Sequence, residues 1–438
     1  MNDTITIYDI FASIILILFL MLIAGFYQNS KKEKHTEYSY YRFGLITKIA
    51  GAIALAFIYV FYYGGGDTQM YFHGGSFMNN VFFSDKEKFF QLFFSERDKL
   101  PVSLQTLAYK ITYSSSNEEW FMIKITSIVN LFAFNRFLIS SILFSLIAFY
   151  GSWKLYQTFL FFSPESKKAG FYAVFLLPSV IFWSSGILKD TITFASLGLF
   201  FYHFVKLFIK FKINIISVIF LIITSLIIFK LKAYILIGFT PALFIMLFIY
   251  YKDEIKNNII RKLLSPLLFI IMISVGYLLV LQIMNDSNKY RIDTLQSRIE
   301  GFHTWHTTQG GSSYDLGKVE YTPIGILKKV PQALNVTFFR PYLWEARNIT
   351  SLVGAIESTV LLGIFLYLLY LYRLKWLIVS FSDSFLALSL IYSIVFGFAV
   401  GFTSYNFGAL ARYKVPVMPF FTFLLLYFLF SYKKTQKY

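Results

Sequence analysis

Long apolar runs dominate this chain, and short polar breaks, most of them basic, separate them. About eleven runs approach the length of a membrane-crossing helix, at 9–27, 44–63, 137–158, 171–186, 190–207, 213–229, 233–251, 263–283, 352–372, 384–402 and 415–431. The pattern predicts an all-α, polytopic integral membrane protein with about 11 transmembrane helices, forming a single membrane domain over 1–438. Composition agrees, since 14% of residues are charged, against about 25% in soluble domains. The first run follows MNDTITIYD, with no basic segment before it and no small-residue cleavage site after it. It reads as a retained anchor.

Two long segments interrupt the runs, at 64–136 and 284–351. In the first, Phe82–Arg97 mixes aromatic and charged residues at near-helical spacing, and Trp120–Phe134 does the same. Both predict helices lying in the membrane interface. The short loops near Lys31, Lys167, Lys206, Lys252, Arg373 and Lys433 are all basic. Lys and Arg collect on the cytoplasmic side, so the two long segments become extracytoplasmic loops, with the N-terminus outside and the C-terminus inside. This alternation accounts for most of the net charge of +17, and no nucleic-acid partner is needed to explain it. The chain has no cysteine, which excludes disulfides and thiolate metal sites.

Candidate chemistry starts at the stretch GGGDTQMYFHGG, where Asp67 is the first carboxylate after the second run, with Tyr71 and His73 close behind. Exterior turns should be poor in cations, yet SSGILKDT carries Lys189 beside Asp190, FKLKAY carries Lys230 and Lys232, and YNFGALARYKVP carries Arg412 and Lys414. The second long loop ends in FFRPYLWEARNIT, with Arg340, Trp344, Glu345 and Arg347. Any one of these cations alone reads better as a side chain snorkelling to headgroups. Repetition at every short exterior turn points to a cluster whose charge an anionic ligand offsets.

A lipid-linked sugar pyrophosphate is such a ligand. Lys189, Lys230, Lys232, Arg340, Arg347, Arg412 and Lys414 would neutralise the leaving pyrophosphate. Asp67 would take the proton of the acceptor hydroxyl. Tyr71, Trp183, Trp305 and Trp344 are candidates to stack on sugar rings, and the same residue types populate interfaces without any such role. Glu357, about one turn into the ninth run, is a membrane-embedded acid, to be read either as functional or as an ion pair beneath Arg340 and Arg347. His303 and His306 have metal-compatible spacing but no third ligand, so no metal and no cofactor is expected. His203 reads as a packed residue and Asp383 as a solvated one. There is no phosphate-binding glycine loop, Ser/His/Asp order or DxD motif, which disfavours a cytosolic nucleotide-sugar enzyme.

The outside N-terminus, the basic inner loop and the second span running into G-x-D-x-x-x-Y (Gly65, Asp67, Tyr71) resemble the exopolysaccharide and O-antigen polymerase families of bacterial membranes. In SSGILKDTITFASL, Lys189 stands where that pattern has an arginine, and Lys230 and Lys232 stand in a turn that often carries histidine. The closing ARYKVPVMPF, with Arg412, Pro416 and Pro419, is similar to the end of many integral-membrane glycosyltransferases of the GT-C type. The resemblance implies a multi-pass protein of the bacterial inner membrane, transferring glycans from polyprenyl-(pyro)phosphate carriers during surface polysaccharide assembly. Its partners would be the carrier-linked glycan, the lipid bilayer and other envelope polysaccharide proteins. A transporter or flippase of the same glycans, and a non-catalytic envelope scaffold, are the alternative readings.

Overall fold

The computed structural model describes residues 5–111, 113–286, 297, 300–301 and 312–435. His303, Trp305 and His306 lie outside the described residues. Every named element among them is helical, and the one β-type pairing is a single antiparallel bridge between Ser313 and Asn406.

Two long apolar helices open the chain: α1 (Ile7–Lys31) and α2 (Tyr41–Phe57), the latter prolonged by a π turn over Ile58–Tyr62. Four helices fill the first long segment: α3 (Asp67–Ser84), α4 (Lys86–Phe94), α5 (Val102–Tyr109) and α6 (Asn117–Phe132). Then come α7 (Phe137–Phe162), the short α8 (Lys167–Phe175) and α9 (Pro178–Trp183), and α10 (Lys189–Phe208). Next follow α11 (Ile215–Lys232), α12 (Tyr234–Glu254) and α13 (Asn258–Asp286). The second long segment ends in α14 (Pro323–Lys328) and α15 (Val330–Phe339). The chain closes with α16 (Ile349–Tyr372), α17 (Lys375–Val379), α18 (Ser384–Thr403), α19 (Phe407–Tyr413) and α20 (Met418–Thr435).

Among the described residues nine helices are long and apolar enough to cross a membrane, and α19 with α20 makes a tenth if that pair, bent by 75°, is one span. The chain is a polytopic helical membrane protein. The expected span at 171–186 is not one continuous helix. Pro178 has no N–H and disfavours helical backbone in the residue before it, and the run divides there into α8 and α9.

The chain forms two compact units. The first comprises Met1–Phe159, Val174–Leu176 and Val180–Leu231. Here α3 lies along α6, and a methyl group on Gly75 would come within 2.8 Å of the Ser127 backbone nitrogen. The α6 helix is no bare surface helix, because Trp120, Met122 and Ile123 are buried in the core. The α4 helix is two-faced: Phe89 and Leu92 are buried while Phe90 and Phe94 are exposed. Small residues let α7 and α10 touch backbone to backbone, as packed membrane helices do; a Cβ on Gly151 would lie 2.3 Å from the Ala195 Cα.

The second unit comprises Leu160–Ala173, Leu177–Ser179 and Lys232–Tyr438. Its centre is α18, packed by α12, α15 and α20. Thr337 on α15 donates to the carbonyl of Gly397 at 2.7 Å. Phe239, Tyr392 and Phe420 meet edge to face in the core. Asp383, expected to be merely solvated, instead caps α18, accepting from the N–H groups of Phe385 and Leu386 at 2.9 Å each.

Candidate functional site

In the second unit the predicted cations gather on one short helix, α19. Asn406 starts it, with its side-chain oxygen accepting from the N–H groups of Gly408 and Ala409 at 2.8 and 3.1 Å. The strap 312–316 lies against this start. Phe407 N–H donates to the Ser312 carbonyl at 2.8 Å, and Tyr314 N–H donates to the Tyr405 carbonyl at 3.1 Å. The buried Tyr314 hydroxyl donates to the Gly401 carbonyl at 2.8 Å. Both ends of α19 carry a cation over an aromatic ring. Arg340 sits 5.2 Å from the Phe407 ring centre, and Lys232 sits 5.0 Å from that of Tyr413 and 5.9 Å from that of Tyr234. Arg412 is on the helix itself. Lys414, the C-terminal capping residue, is buried and donates to the Thr337 carbonyl at 3.0 Å. Four of the seven expected phosphate binders thus lie on or against a helix about 10 Å long.

Carboxylates hold parts of this group in place. Glu345 receives the fork of the Arg340 guanidinium, through Nε at 3.0 and 3.2 Å and through Nη2, together with the Tyr342 N–H at 2.8 Å. Burial alone would raise the Glu345 carboxyl, but the bonds from Arg340 and Tyr342 outweigh it and hold the group below its usual range. Glu357 is buried and accepts from both the N–H and the hydroxyl of Ser179, each at 2.7 Å. Its charge acts on Lys414. Arg347 is exposed at the entry to α16, where its backbone N–H donates to Ser351 Oγ at 3.0 Å. Trp344, also exposed, stacks on Tyr342 at 4.9 Å.

The remaining candidates belong to the first unit. Gly64, Gly65 and Gly66 all have positive φ, which L-residues avoid. The backbone thereby turns out of the second span, and Asp67 becomes the first residue of α3, at the positive end of a helix. Tyr71 is wholly buried with its ring 5.5 Å from that of Tyr113, whereas His73 is exposed. Asp190 is buried at the start of α10 beside Lys189, which approaches Glu118 to 3.9 Å. Lys230 meets Glu96 at 3.3 Å, and Lys99 meets the same carboxylate at 2.8 Å. Two residues apart on a helix means roughly 200° of rotation, so Lys230 and Lys232 serve different neighbourhoods. His203 is packed, stacked on Phe220 at 4.8 Å with Nδ1 3.1 Å from Ser217 Oγ.

A buried cation is also absent from the sequence-based candidates. Lys48 lies inside α2, fully enclosed, and donates to Ser184 Oγ at 2.7 Å and to the Val180 carbonyl at 3.5 Å, with the Phe194 ring 5.0 Å away. Its signal was present in the sequence: an ionisable residue within a span is a functional candidate by default. Among the described residues no group of three or more His, Cys, Asp or Glu could hold a metal ion. No family model matches the chain, and neither a curated protein nor a solved structure is significantly similar to it.

Proposed function

We propose that the chain is a membrane glycosyltransferase of the polymerase kind, acting on polyprenyl-(pyro)phosphate-linked glycans in surface polysaccharide assembly at the bacterial inner membrane. The observation that carries this reading is the gathering of Lys232, Arg340, Arg412 and Lys414 on or against α19. Glu345 and the Thr337 carbonyl engage Arg340 and Lys414. All four cations on or against α19 are assigned to the phosphates. In the reaction, an acceptor hydroxyl oxygen attacks the anomeric carbon, whose bond to the pyrophosphate oxygen breaks. The hydroxyl proton passes to a general base, and the cations at α19 neutralise the charge that develops on the departing pyrophosphate.

The topology that goes with this reading counts α8 and α9 together as one interrupted crossing, and α19 with α20 as another. All the short basic loops then fall on the cytoplasmic face, with the N-terminus outside and the C-terminus inside.

The test is polymer formation by the protein in nanodiscs supplied with an undecaprenyl-pyrophosphate-linked oligosaccharide, read as chain length on a gel. Lys232→Ala and Arg412→Ala should each abolish polymer without loss of folded protein. Normal chain lengths in both would remove the proposal. A second reading, movement of the lipid-linked glycan across the bilayer, is favoured by Lys48, a cation enclosed within a span. Transbilayer movement of a fluorescent lipid-linked glycan in proteoliposomes that form no polymer would establish it instead.

A further inference from the structure

A separate cavity opens in the first unit, well along α3 from Asp67. It has a volume of about 380 Å³, within the roughly 300–1,000 Å³ typical of small-molecule sites. Three stretches distant in sequence line it: the N-terminal cap of α1, the middle of α3, and the turn before α7. Asp9 is buried there. One of its carboxylate oxygens accepts from the Thr6 N–H and hydroxyl, both at 2.8 Å, and the other accepts from Arg136 Nη1 at 3.0 Å. Arg136 is fixed at that nitrogen while 47% of its side chain stays exposed. His73 stands beside this pair, and the rings of Phe72 and Phe137, 5.2 Å apart, are buried beneath.

The site is built rather than incidental. Phe134 and Asn135 both have left-handed backbone, with φ of 54° and 52°, a conformation that side-chain-bearing residues adopt rarely and at a cost. A buried polar network sustains this turn. Asn79 donates to the Asn135 side-chain oxygen at 3.0 Å and accepts from Ser127 at 2.6 Å. Asn130 accepts the Asn135 N–H at 2.8 Å and the Ser140 hydroxyl at 2.8 Å, and donates to the Phe72 carbonyl at 3.0 Å and to Ser76 at 2.9 Å. Such a supporting shell fixes Arg136 and α3 relative to each other.

Charge decides what the cavity takes. Asp9 and Arg136 cancel, so the lining has no cationic excess for a phosphate, unlike the group at α19. A carboxylate, a guanidinium edge, an imidazole and an amide above aromatic rings suit a neutral, hydroxyl-rich ring. We infer that this cavity, built on Asp9, His73, Asn135 and Arg136, is a sugar-binding subsite that holds the acceptor end of the glycan. The word acceptor rests on the glycosyl-transfer reading, whereas sugar binding stands without it. His73 is six residues beyond Asp67, about 9 Å along the axis of α3, a separation that lets a glycan seated in the cavity extend towards that carboxylate.

The experiment is saturation-transfer NMR of the full chain in nanodiscs with methyl glycosides of glucose, galactose, N-acetylglucosamine and rhamnose. The wild type should give saturable signals with at least one of them, unaffected by inorganic phosphate. His73→Phe, which fills the cavity, and Arg136→Lys, which keeps the pair with Asp9 but removes the forked donors, should each weaken binding about tenfold, with unchanged melting of the protein. Lys232→Ala and Arg412→Ala should leave it intact. No signal from any of the four glycosides, signals that survive both cavity variants, or displacement by phosphate would overturn the inference. Sugar binding without polymer formation would remove the glycosyl-transfer reading alone, while polymer formation without sugar binding would remove only the subsite.

Discussion

The ammonium of Lys414 lies 3.0 Å from the backbone carbonyl of Thr337, in full enclosure, and the carboxylate of Glu357 is the opposite charge that acts on it. Burying two charges costs several kcal/mol, and the cost is offset only while both remain and their hydrogen bonds are made. Lys414→Met should therefore destabilise the protein by about 1–3 kcal/mol, because the buried Thr337 carbonyl loses its donor and Glu357 loses an opposing charge. Adding Glu357→Gln should recover part of the loss, because the amide oxygen still accepts from Ser179. Melting temperatures of the two single variants and the double variant in detergent check this. Additive losses would show that the charges are not coupled.

Lys230 and Lys232 make a contrasting pair on α11. The exposed Lys230 shares Glu96 with Lys99, an arrangement worth about 0–1 kcal/mol. Lys232 is buried against Tyr413 at the end of α19. Under the proposed function, Lys230→Ala should leave glycan transfer within about twofold of wild type, and Lys232→Ala should lower it at least about a hundredfold, the scale of losing one charge-stabilising donor. Transfer rates of the two purified variants decide the matter, and equal effects would dissolve the distinction.

The difference between those two lysines also marks what a sequence can reveal. Membrane class and most spans are legible because each apolar run is a local property, and α1, α7, α10 and α18 fall close to the predicted limits. The run at 171–186 misleads because hydropathy averages over Pro178, which acts on backbone geometry rather than polarity. Arg412 and Lys414 are visible in the sequence as two cations in a short break between apolar runs. The division of the seven expected cations between two units is not visible, because helical phase separates Lys230 from Lys232 and only tertiary packing says what each side meets. The Asp9–Arg136 pair joins residues 127 positions apart, and no spacing announces it.

Close backbone approach between α7 and α10 gives a steric prediction. A Cβ on Gly198 would lie 2.2 Å from the Gly151 carbonyl oxygen, and one on Gly151 would lie 2.3 Å from the Ala195 Cα. Neither obstacle is a flexible side chain, so the helices themselves must part. Gly151→Ala should cost about 1–3 kcal/mol, as overpacking in a tight core does. Gly354→Ala, in open space on α16, should cost nothing measurable and serves as the control. Thermal unfolding of both variants distinguishes steric contact from a general intolerance of helix substitutions.

The last prediction concerns pH. Burial, reinforced by the neighbouring Lys230 ammonium, pushes Lys124 down to about 8 from its usual value. Its Nζ donates to the Ser95 carbonyl at 2.7 Å, a bond that the neutral amine also makes. In the unfolded chain the same group titrates near 10.4. Between about pH 8 and 10 the unfolded state therefore binds a proton that the folded state has released, and stability rises with pH across that window. Below it both states are charged, and the folded state bears the full cost of enclosing the ammonium. Lys124→Met removes that cost, while the Ser95 carbonyl keeps the Trp120 indole N–H at 3.1 Å as a donor. The variant should be more stable than wild type at pH 7, and the gap should close as pH approaches 10. Parallel unfolding curves at pH 7, 8, 9 and 10 measure the gap directly, and a gap constant in pH would mean that the Lys124 ammonium is as well accommodated in the fold as in water.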